Sequence, residues 1–365
     1  MKALVVGGTG FIGMNLVREL VARGHDVVAT RRPGGNTLFA RRLGARLVPV
    51  DLDQPELLAA AMRGREVVFL CAGHYPRYSL DRAREVAIAR ERARRALWAA
   101  RAARIQRLVL TSSVALVGPP APGRQLSDER DEADPASLRC VYHAVKAAIE
   151  SEARLACYDG LDVVVLRPTA VFGELDVKAG TGFVVVAVGR QQLGFFVEGR
   201  VNVVDADDLA RAHVRAAERG RRGEVYIAGG HNLTARALLE TIAGTLDVPL
   251  RAHRLPPALA AGLCTLAELR ARRSRGQRRE TLPRELVDVV RHGRWVDVTK
   301  ARTELGLKEP TPLEVTLKKA CDWYLRHRYL RLAHHPPIQR REEHAEPIPT
   351  PGAAGSGAHH PAPSA

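Results

Sequence analysis

Tyr142 and Lys146 stand four residues apart in a stretch of helical pattern from Leu138 to Ala156, and that spacing brings both side chains out on one helix face. A protonated amine beside a phenol stabilises the phenolate. It brings an acid whose pKa is ordinarily about 10 within reach of proton exchange with a carbinol near neutrality. Alone, a YxxxK spacing recurs by chance, most often as a surface pair. Thr111-Ser112-Ser113 closes the apolar run Leu108–Leu110. Hydroxyls at the carboxyl end of a parallel strand lie where ligands of such sheets bind, and can hold charge developing on a reacting oxygen. Ser113 is the candidate and Ser112 the alternative, since neighbouring strand residues point to opposite faces; serines that merely end a strand are the plain reading of either alone.

A second constellation opens the chain. The apolar run Ala3–Val6 leads into Gly7-Gly8-Thr9-Gly10-Phe11-Ile12-Gly13, and Ile12, Leu16, Val17, Leu20 and Val21 then trace one helix face. Glycines at 7, 10 and 13 permit a tight turn, approach of backbone to a pyrophosphate, and close helix–strand contact, with the helix N-terminus facing the phosphates. Thr9, Phe11 and Ile12 join them as candidate dinucleotide contacts. At the tip of the second strand, where such folds meet the adenosine ribose, the chain reads Thr30-Arg31-Arg32. A guanidinium pairs bidentately with a 2′-phosphate, so Arg31 and Arg32 favour NADP over NAD; solvated arginines in an arginine-rich chain are the competing reading. Asp51 and Leu52 follow the third strand, Asp51 either accepting from the adenine amine or capping the helix that starts near Pro55. Cys71, Ala72 and Gly73 end the fourth strand, where small residues let backbone pass near a cofactor.

The elements that must position these groups are legible as periodicity. Ala3–Val6, Val27–Ala29, Leu47–Val50, Val67–Cys71, Leu108–Leu110, Val163–Leu166 and Val225–Ala228 are short and almost wholly apolar, as strands buried on both faces are. Helical patterns lie between most of them, which predicts an α/β fold, a Rossmann-type doubly wound parallel sheet of about seven strands. After Ala228, helical segments near Thr234–Leu246, Pro257–Arg273, Pro283–Arg291 and Pro312–Arg326 predict a smaller, mostly helical C-terminal lobe. The expected division is a dinucleotide-binding domain over 1–175, completed by about 201–230. A substrate-binding lobe covers 176–200 and 231–330, and a disordered tail rich in Pro, Gly, Ala and His covers 331–365.

Composition excludes several classes. The chain has 365 residues, 46% apolar, and a net charge of +16 carried almost wholly by dispersed arginine; no nucleic-acid-binding motif accompanies the charge, so the expectation is no nucleic-acid partner. Five cysteines, far apart, show no CxxC pair and no metal-ligand spacing, which predicts free thiols, no metal and a reducing, cytoplasmic setting. The first residues run directly into a strand pattern that leaves no room for a signal segment, and no stretch reaches the ~18 apolar residues of a membrane span.

The glycine turn, TSS and YxxxK in this order resemble the short-chain dehydrogenase/reductase superfamily, in particular its extended branch, the NAD-dependent epimerase/dehydratase family. The likeness covers roughly residues 1–326. Leu166–Gly173 resembles the LRPxxVYG segment of that branch and Val203–Ala210 its VxVxDLA segment, while Asp297–Ala301, Glu304–Gly306 and Trp323-Tyr324 resemble its terminal elements. The resemblance implies hydride exchange between nicotinamide C4 and a carbinol or carbonyl carbon, with Tyr142 as acid/base. Lys146 would support the phenolate and hold the nicotinamide ribose, Ser113 would position the substrate oxygen, Pro168 would lie by the ring, and Thr111 and Val171, with Tyr142 and Lys146, would complete the cofactor contacts. Two departures stand out. Ala89–Arg95 replaces the NVxGTxN segment, which puts a relay or substrate contact there in doubt, and Val145 replaces the serine of YxxSK.

In style the chain is most similar to the 3β-hydroxysteroid dehydrogenase and dihydroflavonol 4-reductase group, which implies a hydrophobic substrate of sterol, terpenoid or flavonoid type. Phe183, Val184, Val185, Phe195 and Phe196 either line such a pocket or fill core. An apolar helix at Leu255–Leu269, followed by Arg270, Arg272, Arg273, Arg275, Arg278 and Arg279, suits peripheral contact of 255–279 with an anionic membrane or a plain solvated face. A homodimer would pair helices near 81–104 and 137–157. The alternatives are a nucleotide-sugar epimerase or dehydratase with tightly held NAD(P), and a non-catalytic dinucleotide-binding redox sensor.

Overall fold

The computed structural model describes residues 1–35, 37–76, 79, 81–134, 140–273, 287 and 293–332. In chain order the elements are β1 (Lys2–Val6), α1 (Phe11–Ala22), β2 (Asp26–Arg31), β3 (Arg46–Pro49), α2 (Pro55–Met62), β4 (Val67–Leu70), α3 (Arg82–Ala102), β5 (Arg107–Thr111), α4 (Val141–Tyr158) and β6 (Val163–Pro168). Then come β7 (Ala170–Phe172), α5 (Phe183–Gly189), β8 (Phe195–Phe196), β9 (Arg200–Asp205), α6 (Ala206–Arg219), β10 (Val225–Ala228), β11 (His231–Thr234), α7 (Ala235–Thr245), β12 (His253–Arg254), α8 (Pro257–Arg273), α9 (Thr299–Leu305) and α10 (Leu313–Arg326).

The seven apolar runs of the sequence are the seven strands of one sheet, ordered β10-β6-β5-β4-β1-β2-β3 and parallel at every pairing. Their continuous apolarity has a direct cause. Successive strand residues face opposite ways, and both faces are covered. Leu4, Val68, Leu108, Leu110 and Val163 meet α2, α3 and α4 on one side, whereas Ala3, Val5, Phe69, Val109 and Leu166 meet α1 and α6 on the other. From β1 the chain runs outward to β2 and β3, then returns to β4 on the opposite flank of β1. The carboxyl ends of β1 and β4 therefore border the crevice where doubly wound sheets bind ligands.

The C-terminal region is helical, as expected, but it also carries short strands the apolar runs did not signal. β11-β9-β7 form a three-stranded sheet, and β12 pairs with β8. These strands are only two to six residues long, too short for alternation to stand out. A third core joins α5, α7 and α10 through Val185, Val188, Phe196, Leu239, Ile242, Trp323 and Tyr324. Of the proposed pocket residues, Val185 and Phe196 are thus core, while Phe183 and Phe195 are 39% and 62% exposed. Leu259, Leu263, Leu266 and Leu269 stand exposed along α8. The expected helix Pro283–Arg291, the tail beyond residue 332 and the side chains of the arginine cluster at 270–279 lie outside the described residues. Among the described residues no helix is long and apolar enough to cross a membrane.

Candidate active site

The glycine turn is a physical necessity of this chain. Gly7 has φ +89°, and a Cβ there would lie 2.8 Å from the Ala72 nitrogen; at Gly13 it would lie 2.2 Å from the Gly7 carbonyl oxygen. Only a bare backbone lets α1 start so close to the end of β1. Thr30, on β2, accepts from Gly7 N at 3.0 Å and secures the turn. Gly10 caps α1 without a side-chain hydrogen bond, and no acidic residue occupies the first turn. The positive end of the helix therefore has no side-chain anion of its own, which fits a pyrophosphate held by the backbone of Gly7, Thr9, Gly10, Phe11, Ile12 and Gly13.

Arg31 is half-buried at the end of β2 and Arg32 exposed just beyond it; among the described residues neither has an ion-pair partner, in a chain whose arginines are widely paired. Val50 N donates to Arg31 O at 3.0 Å, which sets Asp51 and the buried Leu52 beside them. Asp51 is not the cap of α2: that position is Gln54, while the Asp51 carboxylate accepts from Leu52 N at 2.6 Å.

Ser113, Tyr142 and Lys146 meet between the end of β5 and α4. Tyr142 Oη donates to Ser113 Oγ at 3.3 Å, and one helical turn on Lys146 Nζ donates to the Thr111 carbonyl at 3.3 Å, with Nζ 6.0 Å from the Tyr142 ring centroid. The helix that carries them starts at Val141, with Cys140 as an extended cap, later than the pattern from Leu138 suggested; residues 135–139 lie outside the described ones. Lys146 is partly exposed along the crevice, yet its amine is surrounded by protein. Desolvation lowers its pKa to about 8, against the fields of Cys71 and Glu150.

Beneath the lysine runs a chain of uncharged donors. His213 Nδ1 lies 2.8 Å from the Leu209 carbonyl, which can only accept, so Nδ1 carries the hydrogen and Nε2 accepts from Thr111 Oγ1 at 2.8 Å. The Cys71 thiol, 3.4 Å from Thr111 Oγ1, is then the donor to that hydroxyl. Burial supports this assignment, pulling His213 down to about 4 and pushing the Cys71 thiol up to about 11.

Ser112 has different work. It donates to Glu150 of α4, which is 2% exposed and grips Arg167 of β6, itself 1% exposed, through Nη2 at 2.6 Å and Nε at 3.2 Å. Burial opposes ionisation of Glu150, but Arg167 and Ser112 hold its carboxyl below the ordinary range. The sequence reading missed this pair, because nothing local signals a carboxylate on one element meeting an arginine on another. Pro168 and Val171 follow Arg167 and are buried at the end of β6 and in β7.

Val145 and Ala89, the first residue of the other departure from the resembled motifs, face inward. Val145 and Ala89 are fully buried in the core between sheet and helices. Val145 thus puts an apolar side chain into that core where YxxSK has a hydroxyl. The structure brings Gly7, Ala72, Cys71, Thr111, Lys146, Tyr142 and Ser113 into one continuous run of contacts, with Arg31, Arg32, Asp51 and Leu52 at or just after the carboxyl ends of β2 and β3.

Comparison with known proteins agrees with this arrangement. The model of the NAD dependent epimerase/dehydratase family matches residues 3–229. A putative dihydroflavonol 4-reductase from Synechocystis sp. is 30% identical over 90% of this chain and 95% of its own length. Sterol demethylase protein B from Methylococcus capsulatus is 28% identical over 89% of this chain and 98% of its own. Among solved structures, a nucleoside-diphosphate-sugar epimerase from Pseudomonas aeruginosa superposes with a TM-score of 0.75 at 29% identity, covering 91% of this chain and 99% of that one. With its sheet, glycine turn and tyrosine–lysine pair, the chain belongs to the NAD dependent epimerase/dehydratase family, enzymes of the extended short-chain dehydrogenase/reductase type.

Proposed function

We propose that this enzyme interconverts a secondary alcohol and a ketone on a hydrophobic ring substrate, using NADP(H) in preference to NAD(H). The observation that carries the reading is the meeting of Tyr142 Oη with Ser113 Oγ at 3.3 Å, one turn from Lys146. When bound, the nicotinamide supplies or accepts the hydride. In the reductive direction Tyr142 gives its proton to the carbonyl oxygen; in the oxidative direction it removes the carbinol proton. Ser113 Oγ accepts from Ala115 N at 3.2 Å as well as from Tyr142, so its own hydrogen is directed to the substrate oxygen. Lys146, charged below about pH 8, favours the phenolate that each turnover forms or consumes. Arg31 and Arg32 support the preference for NADP(H), since among the described residues no carboxylate pairs with them and a 2′-phosphate matches their charge.

In this reading residues 1–175 and 201–230 hold the cofactor, and 176–200 with 231–330 cover the substrate. The exposed leucines of α8, followed in sequence by six arginines, support peripheral contact with an anionic membrane. Intact protein then floats with anionic liposomes, and charge reversal at Arg270, Arg272 and Arg273 abolishes flotation. No flotation of the intact protein ends that part.

The test is a panel of sterols, flavonoids, terpenoid alcohols and UDP- or GDP-sugars, read at the reduced-nicotinamide absorbance band with each coenzyme. Stoichiometric NADPH consumption that is lost in Tyr142→Phe supports the reading. Turnover of a nucleotide sugar without net change in coenzyme would replace it with epimerase chemistry, the second reading, which the likeness to the Pseudomonas aeruginosa epimerase favours.

A further inference from the structure

The loop after β4 carries an aromatic residue that neither the glycine turn nor the tyrosine–lysine pair explains. Tyr75 lies 5.5 Å, centroid to centroid, from Tyr142 at an interplanar angle of 62°, while 61% of its surface stays exposed. A ring that packs edge to face on the acid/base tyrosine and still leaves most of itself exposed is not filling core. Its neighbour His74 is 15% exposed and held on both sides. Arg92 of α3 donates from Nη1 to His74 Nδ1 at 3.2 Å, which leaves Nε2–H to donate to Glu85, also of α3. Arg92 grips Asp53 as well, Nε to Oδ1 at 3.0 Å and Nη2 to Oδ2 at 2.6 Å. The loop is thereby fastened to α3 and, through Arg92, to the loop after β3. Arg92 occupies the glycine position of the NVxGTxN segment.

We propose that Tyr75 is a specificity-determining residue. Its exposed face is the wall on which the apolar ring of the substrate stacks while Tyr142 and Ser113 engage the oxygen, and His74, Glu85 and Arg92 form the clamp that fixes this wall. Aromatic faces reward flat or alicyclic apolar partners that lie against them and give little to a flexible chain. The proposal rests on the ketone reductase reading above.

The test is steady-state reduction of a polycyclic ketone and of an acyclic methyl ketone by wild type, Tyr75→Ala, Tyr75→Phe, His74→Ala and the double alanine variant. NADPH binding is measured separately by fluorescence. In Tyr75→Ala the KM for the polycyclic ketone rises about 10-fold while kcat stays within about 2-fold, as loss of a stacking contact predicts. The acyclic ketone and NADPH affinity are unaffected, and Tyr75→Phe restores wild-type behaviour. His74→Ala reproduces part of the KM effect and adds nothing on the Tyr75→Ala background. Equal effects on both ketones, or none, with wild type active, overturn the assignment of Tyr75 alone. Wild-type protein that reduces neither ketone overturns the reductase reading and this proposal with it.

Discussion

Replacing Lys146 with methionine separates what this residue costs the fold from what it does for chemistry. Desolvation brings the amine from the ordinary lysine value of 10.5 to about 8, which at 1.36 kcal/mol per unit is about 3 kcal/mol held against the folded state while the amine is charged. Methionine removes that charge and gives up the 3.3 Å bond to the Thr111 carbonyl, worth about 1 kcal/mol. The coenzyme-free variant is therefore more stable than wild type at pH 7 by about 2 kcal/mol. The pH dependence fixes the sign. Below about pH 8 the lysine is charged in both folded and unfolded chains, and the whole penalty applies. Between about 8 and 10.5 the unfolded chain binds the extra proton, so wild-type stability climbs with pH. Above that range both forms are neutral and the advantage of the variant is gone. Urea unfolding of the two proteins at pH 7 and at pH 10.5 measures the difference, and kcat at pH 7 supplies the other half, an expected loss of about 10²-fold or more. A variant no more stable than wild type at pH 7, or one whose advantage persists unchanged at pH 10.5, refutes the argument.

Other substitutions separate neighbouring roles. Ser113→Ala lowers kcat about 10²-fold with little change in stability, whereas Ser112→Ala retains kcat and loses about 1–2 kcal/mol, because Glu150 forfeits a buried donor; kinetics and denaturation on the pair show whether the roles are assigned correctly. Arg31→Ala/Arg32→Ala weakens NADPH binding about 10- to 100-fold and leaves NADH binding unchanged, as titration calorimetry with both coenzymes tests. Gly13→Ala abolishes coenzyme binding and lowers the melting temperature, since the added carbon would sit 2.2 Å from the Gly7 carbonyl oxygen; retained binding would show that the turn yields.

The sheet was legible because all its strands but the edge strand β3 are buried on both faces, so apolarity marks Ala3–Val6 and its counterparts. The glycine turn and Tyr142–Lys146 were legible because their chemistry depends on spacing along the chain. What stayed hidden depends on spacing through the fold. Ser112 and Ser113 read alike until Glu150 claims the first and Tyr142 the second. Tyr75 belongs to a loop with no period, and its meaning comes from a helix whose first residue is 66 positions on. Arg92 looked like one more arginine on a basic helix and is a three-way tie. Val145 and Ala89 are substitutions whose direction only the core reveals.

The buried carboxylate of Glu150 has a mechanical consequence. It lies two turns along α4 from Tyr142, about 12 Å of rise, and is tied at once to Ser112 at the end of β5 and to Arg167 in β6. The Arg167 tie, which outlasts loss of the Ser112 hydroxyl, fixes the azimuth of the helix. A roll of about 10° would sweep an atom about 6 Å from the axis through about 1 Å, a misplacement of the kind that costs about 10²-fold in rate. An anchor remote from the hydroxyl thus governs how far the proton must travel.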